Sequence, residues 1–306
     1  MGSIVVLGIF VADTAYRADR MPKMGETILG KSFTLGPGGK GSNQAVAAGK
    51  LGANVSIISR LGADDFGKLA LETWKAADVK PIITTDASSY TGAAFIFVDD
   101  QTGDNSIIVS PGAAARFTSE DVTMNTCLIE DSDVFVTQLE QPVDVAKVGL
   151  KIAKKAGKVT ILNPAPATPL GSDILELCDF VTPNETEAQV LTGISVVTPK
   201  DAKRAAEKFV DMGVKTPIIT MGEQGAYLHG YGMIPAFEHA PVVETTGAGD
   251  AFNGGFATAI SEGKSTIESV RFGCATASIS VTRPGTAPAM PTRAEVEELL
   301  RVLSDK

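Results

Sequence analysis

Short runs of apolar residues alternate along the chain with longer segments of helical periodicity. Unbroken runs of β-branched and aliphatic residues are typical of strands buried on both faces. Such runs are Ile4–Leu7, Val55–Ser59, Val134–Val136, Val159–Leu162, Phe180–Thr182 and Pro217–Met221. The segments between them predict helices at Ser42–Leu51, Phe66–Ala77, Val143–Lys155, Glu185–Leu191 and Asp201–Met212. This alternation predicts an α/β fold in which helices cover both faces of a mainly parallel sheet.

Two regions break the alternation. Glu26–Leu35 has an extended pattern, and Ala93–Val98 and Asn105–Val109 flank a turn-rich segment at residues 99–104, which predicts a hairpin. These pieces are expected to form a small antiparallel sheet, either as a flap over a cleft or as a dimer contact. The alternative is that they are edge strands of the main sheet.

No linker or internal repeat divides the chain. We therefore expect residues 1–306 to form a single domain. The extended regions, at about 10–36 and 92–110, would form a lid on that domain.

Composition and charge exclude several classes of protein. Among the 306 residues, 36 acids against 27 bases give a net charge of −9, which argues against a nucleic-acid binder. There is no apolar run of membrane-spanning length and no basic, apolar leader, so we expect neither a membrane span nor a signal peptide. The three cysteines form no CxxC pair, which favours a reducing cytoplasm.

The first glycine-rich segment is Gly36–Gly41. It matches G-x-G-x-x-G, the glycine pattern of dinucleotide-binding folds. Such a fold would place the pattern directly after the first strand, whereas here it lies well beyond that strand. Its glycines allow the backbone to approach a ligand closely, and the Asn43 amide at the following helix start suits the hydroxyls of a sugar or polyol. A loop followed by a helix cap is the structural alternative.

The second glycine-rich segment precedes an apolar helical pattern. The amides of Gly247, Ala248 and Gly249 at the start of this helix predict an anion hole for a phosphoryl group. Asp250 follows in the first turn, where a carboxylate can orient a hydroxyl and accept its proton during attack on phosphorus. The alternative is that Asp250 only stabilises the helix N-terminus.

A third pattern pairs Asn184 with Glu187 directly after a predicted strand. The spacing fits a capping box, in which each side chain bonds to the backbone of the other residue. It also fits two oxygens that hold a hydrated Mg²⁺, a cation that usually keeps several of its waters.

These segments together carry a family resemblance. Gly38–Ala45 and Thr245–Phe252 resemble the two signatures of the PfkB carbohydrate kinases, and Asn184 with Glu187 resembles the magnesium motif of that family. Order and spacing match over nearly the whole chain, and the likeness is strongest to the ribokinase branch. The resemblance implies a three-layer α/β/α fold with a β-sheet lid that often forms the dimer contact.

The resemblance also implies a role for individual residues. Asp250 would be the catalytic base, and the amides of Gly247, Ala248 and Gly249 would hold the transferring phosphoryl group. Asp250 would share the sugar site with Asp13, Gly39, Lys40, Asn43 and Glu140. The nucleotide would meet Asn184, Thr220, Gly222, Gly225 and Gly249. Magnesium would be held through water by Asn184 and Glu187, and potassium by Glu244, Thr246, Ser280, Arg283, Gly285 and Ala289.

The implied activity is ATP-dependent phosphorylation of the primary hydroxyl of a pentose, D-ribose to ribose 5-phosphate. Magnesium, potassium, a cytoplasmic location and a homodimer are implied with it. The chain departs from the pattern at Val11, where ribokinases usually carry Asn, at Glu244, where the family usually carries Asp, and at Ala289, where ribokinases tend to carry Ser. The alternatives are a kinase for another sugar or a nucleoside, and a non-catalytic sugar- or nucleotide-binding regulator.

Overall fold

The computed structural model describes residues 2–238 and 240–304, which form two β-sheets and their flanking helices. The strands are β1 (Ser3–Leu7), β2 (Val11–Ala18), β3 (Ser32–Gly38), β4 (Asn54–Gly62), β5 (Val79–Asp86), β6 (Thr91–Asp99), β7 (Asn105–Gly112), β8 (Val134–Thr137), β9 (Val159–Leu162), β10 (Phe180–Val181), β11 (Thr216–Thr220), β12 (Ala226–Leu228) and β13 (Gly232–Ile234). The α-helices are α1 (Lys40–Lys50), α2 (Asp65–Ala76), α3 (Ser119–Thr123), α4 (Thr126–Glu130), α5 (Val143–Lys155), α6 (Ser172–Leu175), α7 (Glu185–Thr192), α8 (Pro199–Asp211), α9 (Ala248–Ser261), α10 (Thr266–Ser280) and α11 (Arg293–Ser304). Short 3₁₀ turns lie at Ala113–Arg116, Gly222–Gln224 and Ala287–Ala289.

The main sheet has the strand order β13-β12-β11-β10-β9-β8-β1-β4-β5. From β5 to β11 all neighbours pair in parallel, whereas β12 is antiparallel to both of its neighbours. The predicted α/β fold with a mainly parallel sheet is therefore confirmed. Within the described residues, no helix is long and apolar enough to cross a membrane.

Helices cover both faces of the main sheet because its strands are apolar on both sides. In β1, Ile4 and Val6 pack into a core with residues of α1, α2, α9 and α10. Val5 and Leu7 alternate with them and pack into a second core with residues of α5 and α8 on the opposite face. These two cores give the three-layer α/β/α arrangement that the family resemblance implied.

Most predicted elements agree with the structure to within two residues. Polar residues fix the starts of several helices. Asn184, Thr198 and Ser265 each form a capping box that begins α7, α8 and α10 respectively.

The small sheet has the order β3-β2-β6-β7 and is separate from the main sheet. The alternative of edge strands on the main sheet is therefore wrong. The predicted strand Glu26–Leu35 is also placed too early, because β3 begins at Ser32 and pairs with β2 as far as Gly38. The hairpin at residues 99–104 is confirmed, since β6 and β7 pair antiparallel on either side of it. The expectation of a wholly antiparallel sheet is wrong, because β2 pairs with β6 in parallel.

Candidate functional site

The predicted site residues gather at one edge of the main sheet. Glu140 follows β8, Asn184 follows β10 and Thr220 ends β11, while Lys40 and Asp250 lie in the first turns of α1 and α9. The carboxyl ends of parallel strands meet at the same edge, and ligands of open α/β sheets bind in the crevice just beyond it. The topology therefore brings together residues that are far apart in sequence.

The start of α9 presents free backbone amides. Gly247 caps the helix with φ +80°, a conformation that favours glycine. The Ala248 amide donates to the Thr245 carbonyl at 3.1 Å, so one of the three predicted anion-hole donors is engaged. Within the described residues, the amides of Gly247, Gly249 and Asp250 have no acceptor, and they remain available to an anion.

Asp250 is buried, with 6 % of the residue exposed, and its carboxylate is held by two side-chain amides. Asn43 Nδ2 donates to its Oδ2 at 3.0 Å, and Gln44 Nε2 donates to its Oδ1 at 3.1 Å. Burial raises the pKa of Asp250, and the Lys40 charge with the two amides offsets only part of this rise. A carboxylate with a raised pKa is a stronger base than an exposed aspartate.

Gln44 was missed at the sequence level. Although Gln44 belongs to the first signature, nothing in the local pattern indicates that its side chain reaches Asp250. The residue is 1 % exposed, so its function depends on contacts that only the fold creates.

Four further charged side chains lie around Asp250, namely Asp13, Lys40, Glu140 and Glu187. The Lys40 backbone amide donates to Glu140 Oε2 at 2.7 Å. Burial raises the pKa of Glu140 to about 7, and burial with the Asp250 charge raises the pKa of Asp13 to about 6. Burial lowers the pKa of Lys40, but the charges of nearby acids, among them Glu187, raise it by more. The predicted sugar-site acids and the predicted magnesium glutamate therefore share one electrostatic environment.

Close backbone contacts explain the glycines before α1. Gly39 caps this helix with φ +90°, and a Cβ there would lie 2.6 Å from the Ile9 carbonyl oxygen. A Cβ on Gly38 would lie 2.2 Å from Asp13 Oδ2, so the Asp13 carboxylate rests directly on this glycine.

This arrangement of residues can be compared with known proteins. The model of the pfkB family of carbohydrate kinases matches residues 1–293. The chain belongs to this family. Its membership confirms the resemblance drawn from the two signatures and, with it, the predicted class of carbohydrate kinase.

Individual relatives match over their full length. The Haemophilus influenzae ribokinase is 41 % identical over 302 residues, covering 97 % of this chain and 98 % of that protein. The Salmonella typhi deoxyribokinase is 35 % identical over 310 residues, covering 97 % and 98 % respectively. The structure of Arabidopsis thaliana ribokinase complexed with ribose and ATP superposes with a TM-score of 0.91 at 33 % identity, covering 98 % of this chain and 99 % of that one.

The structure places the predicted magnesium residues of this PfkB kinase in a capping box. Asn184 Oδ1 accepts from the Glu187 amide at 2.8 Å, and Glu187 Oε2 accepts from the Asn184 amide at 2.9 Å. No described residue donates to Glu187 Oε1. Burial raises the pKa of Glu187, and the Asn184 amide and the Lys40 charge offset part of the rise. The capping geometry leaves one carboxylate oxygen free for a cation.

The predicted nucleotide residues lie next to this capping box. The Thr220 amide donates to the Pro183 carbonyl at 2.9 Å, and a Cβ on Gly222 would lie 3.9 Å from Glu185 Oε1. The local backbone packing requires a glycine at position 225, because a Cβ on Gly225 would lie 2.1 Å from the Ile234 carbonyl oxygen.

The predicted potassium residues surround the loop between α10 and α11. Glu244 Oε2 accepts from the Gly285 amide at 2.8 Å. The Arg283 guanidinium pairs with Glu295, and the Ser280 carbonyl accepts from the Arg283 amide at 3.2 Å. Within the described residues, the carbonyls of Thr246, Gly285 and Ala289 accept no backbone hydrogen bond.

Val11 lies two residues before Asp13 on β2, so both side chains are on the same face of the strand. Val11 is 4 % exposed and packs with Ile9, Ala94 and Ala114 in a small apolar cluster. No polar group enters this cluster at the position where the resemblance expected an Asn.

Proposed function

We propose that this PfkB kinase transfers the γ-phosphoryl group of ATP to the primary hydroxyl of D-ribose, which yields ribose 5-phosphate and ADP. The observation that carries the proposal is the buried Asp250 carboxylate, oriented by two amides beside the free amides of α9. The 41 % identical ribokinase and the ribokinase structure with ribose and ATP support ribose as the acceptor and ATP as the donor.

In the proposed mechanism Asp250 acts as the base. Each carboxylate oxygen accepts one amide hydrogen, which leaves lone pairs for the hydroxyl of the acceptor. The hydroxyl oxygen attacks the γ-phosphorus while its proton passes to Asp250, and the bond between this phosphorus and the leaving ADP oxygen breaks. The amides of Gly247 and Gly249 would stabilise negative charge on the transferring group, a contribution that is often the largest in such sites.

The proposed sugar contacts begin with Asn43. Its Oδ1 is buried without a hydrogen-bond partner, although its amide nitrogen is fixed on Asp250. An unpaired buried acceptor costs about 1–3 kcal/mol, which a sugar hydroxyl would relieve. Asp13 and Glu140 supply two more acceptors, and Gly39 and Lys40 complete the proposed site.

The proposed nucleotide side is formed by Asn184, Thr220, Gly222, Gly225 and Gly249. Glu187 fits Mg²⁺ because its free carboxylate oxygen is a hard ligand, and this cation usually keeps waters through which such an oxygen could hold it. Magnesium would neutralise phosphate charge when bound, and Asn184 holds the Glu187 side chain in place for this contact.

The proposed potassium site has oxygen ligands only. Glu244 and the carbonyls of Thr246, Gly285 and Ala289 supply them, whereas the Ser280 carbonyl is already engaged and the Arg283 side chain points to Glu295. The predicted set therefore fits in part, and we propose that this cation supports the loop beside α9.

We further propose that the small sheet is the lid and the dimer contact of a single kinase domain. One of its faces carries large exposed apolar side chains, namely Tyr16, Phe33, Leu35 and Ile108. A patch of this kind on a protein surface marks an interaction site. The proposed partner of this face is a second copy of the chain, related to the first by symmetry. The proposed location of this dimer is the cytoplasm.

A second candidate acceptor is 2-deoxyribose. The observation that favours it is the apolar environment of Val11, which offers no hydrogen bond to a sugar hydroxyl. One close relative is a deoxyribokinase. A site that offers no polar partner to a sugar hydroxyl discriminates less strongly against the sugar that lacks this hydroxyl.

A coupled assay of ADP formation tests the proposal. Ribose, 2-deoxyribose, hexoses, polyols and nucleosides are each supplied with ATP and Mg²⁺, with and without potassium. We expect the highest kcat/KM with ribose or 2-deoxyribose. If none of the acceptors gave ADP formation while sugar and ATP still bound, the result would favour the alternative of a non-catalytic binding protein.

A further inference from the structure

A chain of buried side-chain amides leads away from Asp250. Gln44 Nε2 donates to Asp250 Oδ1 at 3.1 Å and to Asn163 Oδ1 at 3.0 Å. Gln44 Oε1 accepts from Gln138 Nε2 at 2.6 Å. Both amide hydrogens and the carbonyl oxygen of Gln44 are therefore used, and its orientation is fixed by three partners.

The chain returns to the helix that carries Asp250. Asn163 Nδ2 donates to the Thr182 carbonyl at 3.2 Å, and the Thr182 hydroxyl donates to Asn253 Oδ1 at 2.7 Å. Asn253 Nδ2 then donates to the Gly249 carbonyl at 2.8 Å. The network thus connects α1, β9, β10 and the first turn of α9.

Gln44 cannot act on a substrate directly, because its side chain is 1 % exposed and all its polar atoms are engaged. We propose that Gln44 is a positioning residue, which fixes the Asp250 carboxylate in the orientation that accepts the proton of the sugar hydroxyl. This inference rests on the proposed role of Asp250 as the base. It assigns a catalytic consequence to a residue that would otherwise serve only the packing of the core.

The physical reason lies in the geometry of proton transfer. A carboxylate held by a single amide can rotate about its Cβ–Cγ bond, whereas one amide on each oxygen fixes its plane. Misplacement of a reacting group by about 1 Å can cost about 100-fold in rate. The Gln44 amide also stabilises the charged form of Asp250, so its removal disfavours ionisation.

The test compares Gln44→Met with Gln141→Met. Gln141 is a matched control, because it is 3 % exposed and bonds to Thr137 and the Gln138 carbonyl but does not contact Asp250. For Gln44→Met we expect kcat to fall about 10- to 100-fold, with the KM of the acceptor within about threefold of wild type. The acidic limb of its kcat–pH profile moves to higher pH. Gln141→Met keeps the wild-type profile.

A kcat and pH profile like wild type in folded Gln44→Met would overturn the proposal. If this variant does not fold, the isosteric Gln44→Glu is measured in its place, and an unshifted acidic limb overturns the proposal there. Asp250→Asn is measured alongside with the same acceptor. If Asp250→Asn keeps an activity close to that of the wild type, the proposed role of Asp250 as the base is refuted. If Asp250→Asn is inactive while the Gln44 variant behaves like the wild type, only the positioning role of Gln44 is refuted.

Discussion

Asn43 donates its side-chain amide to Asp250 Oδ2 at 3.0 Å, although 207 positions of sequence separate them. This contact joins the two glycine-rich signatures at one site. The turn before α1 and the turn before α9 meet because both helices pack on the same face of the main sheet. The predictions below follow from this arrangement.

Gly38→Ala is expected to raise the KM of the sugar about 10-fold or more. The added methyl would lie 2.2 Å from Asp13 Oδ2 and would displace this carboxylate from the proposed sugar site. Gly36→Ala on the same strand is the control, because a Cβ there meets nothing within 4 Å. Steady-state kinetics of both variants check the prediction, and equal KM values would contradict it.

Asp13→Asn is expected to raise the melting temperature more at pH 8 than at pH 4.5. Burial and the Asp250 charge raise the pKa of Asp13 to about 6, so the folded state holds this proton more tightly than the unfolded state. Protonated Asp13 therefore stabilises the folded state at a pH below the pKa that it has in the unfolded chain. This stabilisation is lost as the pH rises through about 6. Asn stays neutral and avoids that loss.

Thermal unfolding at the two pH values measures this effect. Asp131→Asn, at an exposed position, is the control and should show the same difference at both values. A gain in melting temperature for Asp13→Asn that does not depend on pH would show that the buried charge is not its cause.

Val11→Asn is expected to increase the preference for ribose over 2-deoxyribose, measured as the ratio of kcat/KM, about tenfold. The new amide would enter the apolar cluster of Ile9, Ala94 and Ala114 and offer a partner to a sugar hydroxyl. Val11→Ala removes volume without adding a polar group and should leave the ratio near its wild-type value. An unchanged ratio in Val11→Asn would place the discriminating contact elsewhere.

Ile108→Glu is expected to convert the proposed dimer into a monomer. Ile108 is 62 % exposed in β7, within the apolar face of the small sheet. A charge buried at an interface without a partner is strongly unfavourable. Sedimentation velocity compares this variant with Met124→Glu, a change at an exposed residue between α3 and α4. Dimers in both variants would exclude this face as the contact.

The fold could be predicted where the pattern is local. The strand at Val159–Leu162 and the helix at Val143–Lys155 agree at both ends, because buried runs and helical periodicity are properties of neighbouring residues. The bounds of β3 were wrong, since its pairing with β2 decides where it begins and ends. Register between distant strands cannot be obtained from the pattern of one strand.

The same distinction between local patterns and long-range contacts applies to the candidate site. The positions of Asp250 and Asn43 at helix starts follow from their signatures, but the contact between them does not. The role of Gln44 escaped notice because its side-chain amide is satisfied only by residues that lie 94 or more positions away in the sequence. The engaged Ala248 amide likewise depends on the turn geometry at Thr245, which the sequence does not determine.

The assay of Asp250→Asn with ribose and ATP tests the central claim most directly. Loss of the base should lower kcat about 10²- to 10⁴-fold, while ATP binding measured by calorimetry stays close to wild type. The wild-type product, examined by ³¹P nuclear magnetic resonance, should carry its phosphate on the primary hydroxyl of the sugar. Turnover by Asp250→Asn near the wild-type rate would contradict the account.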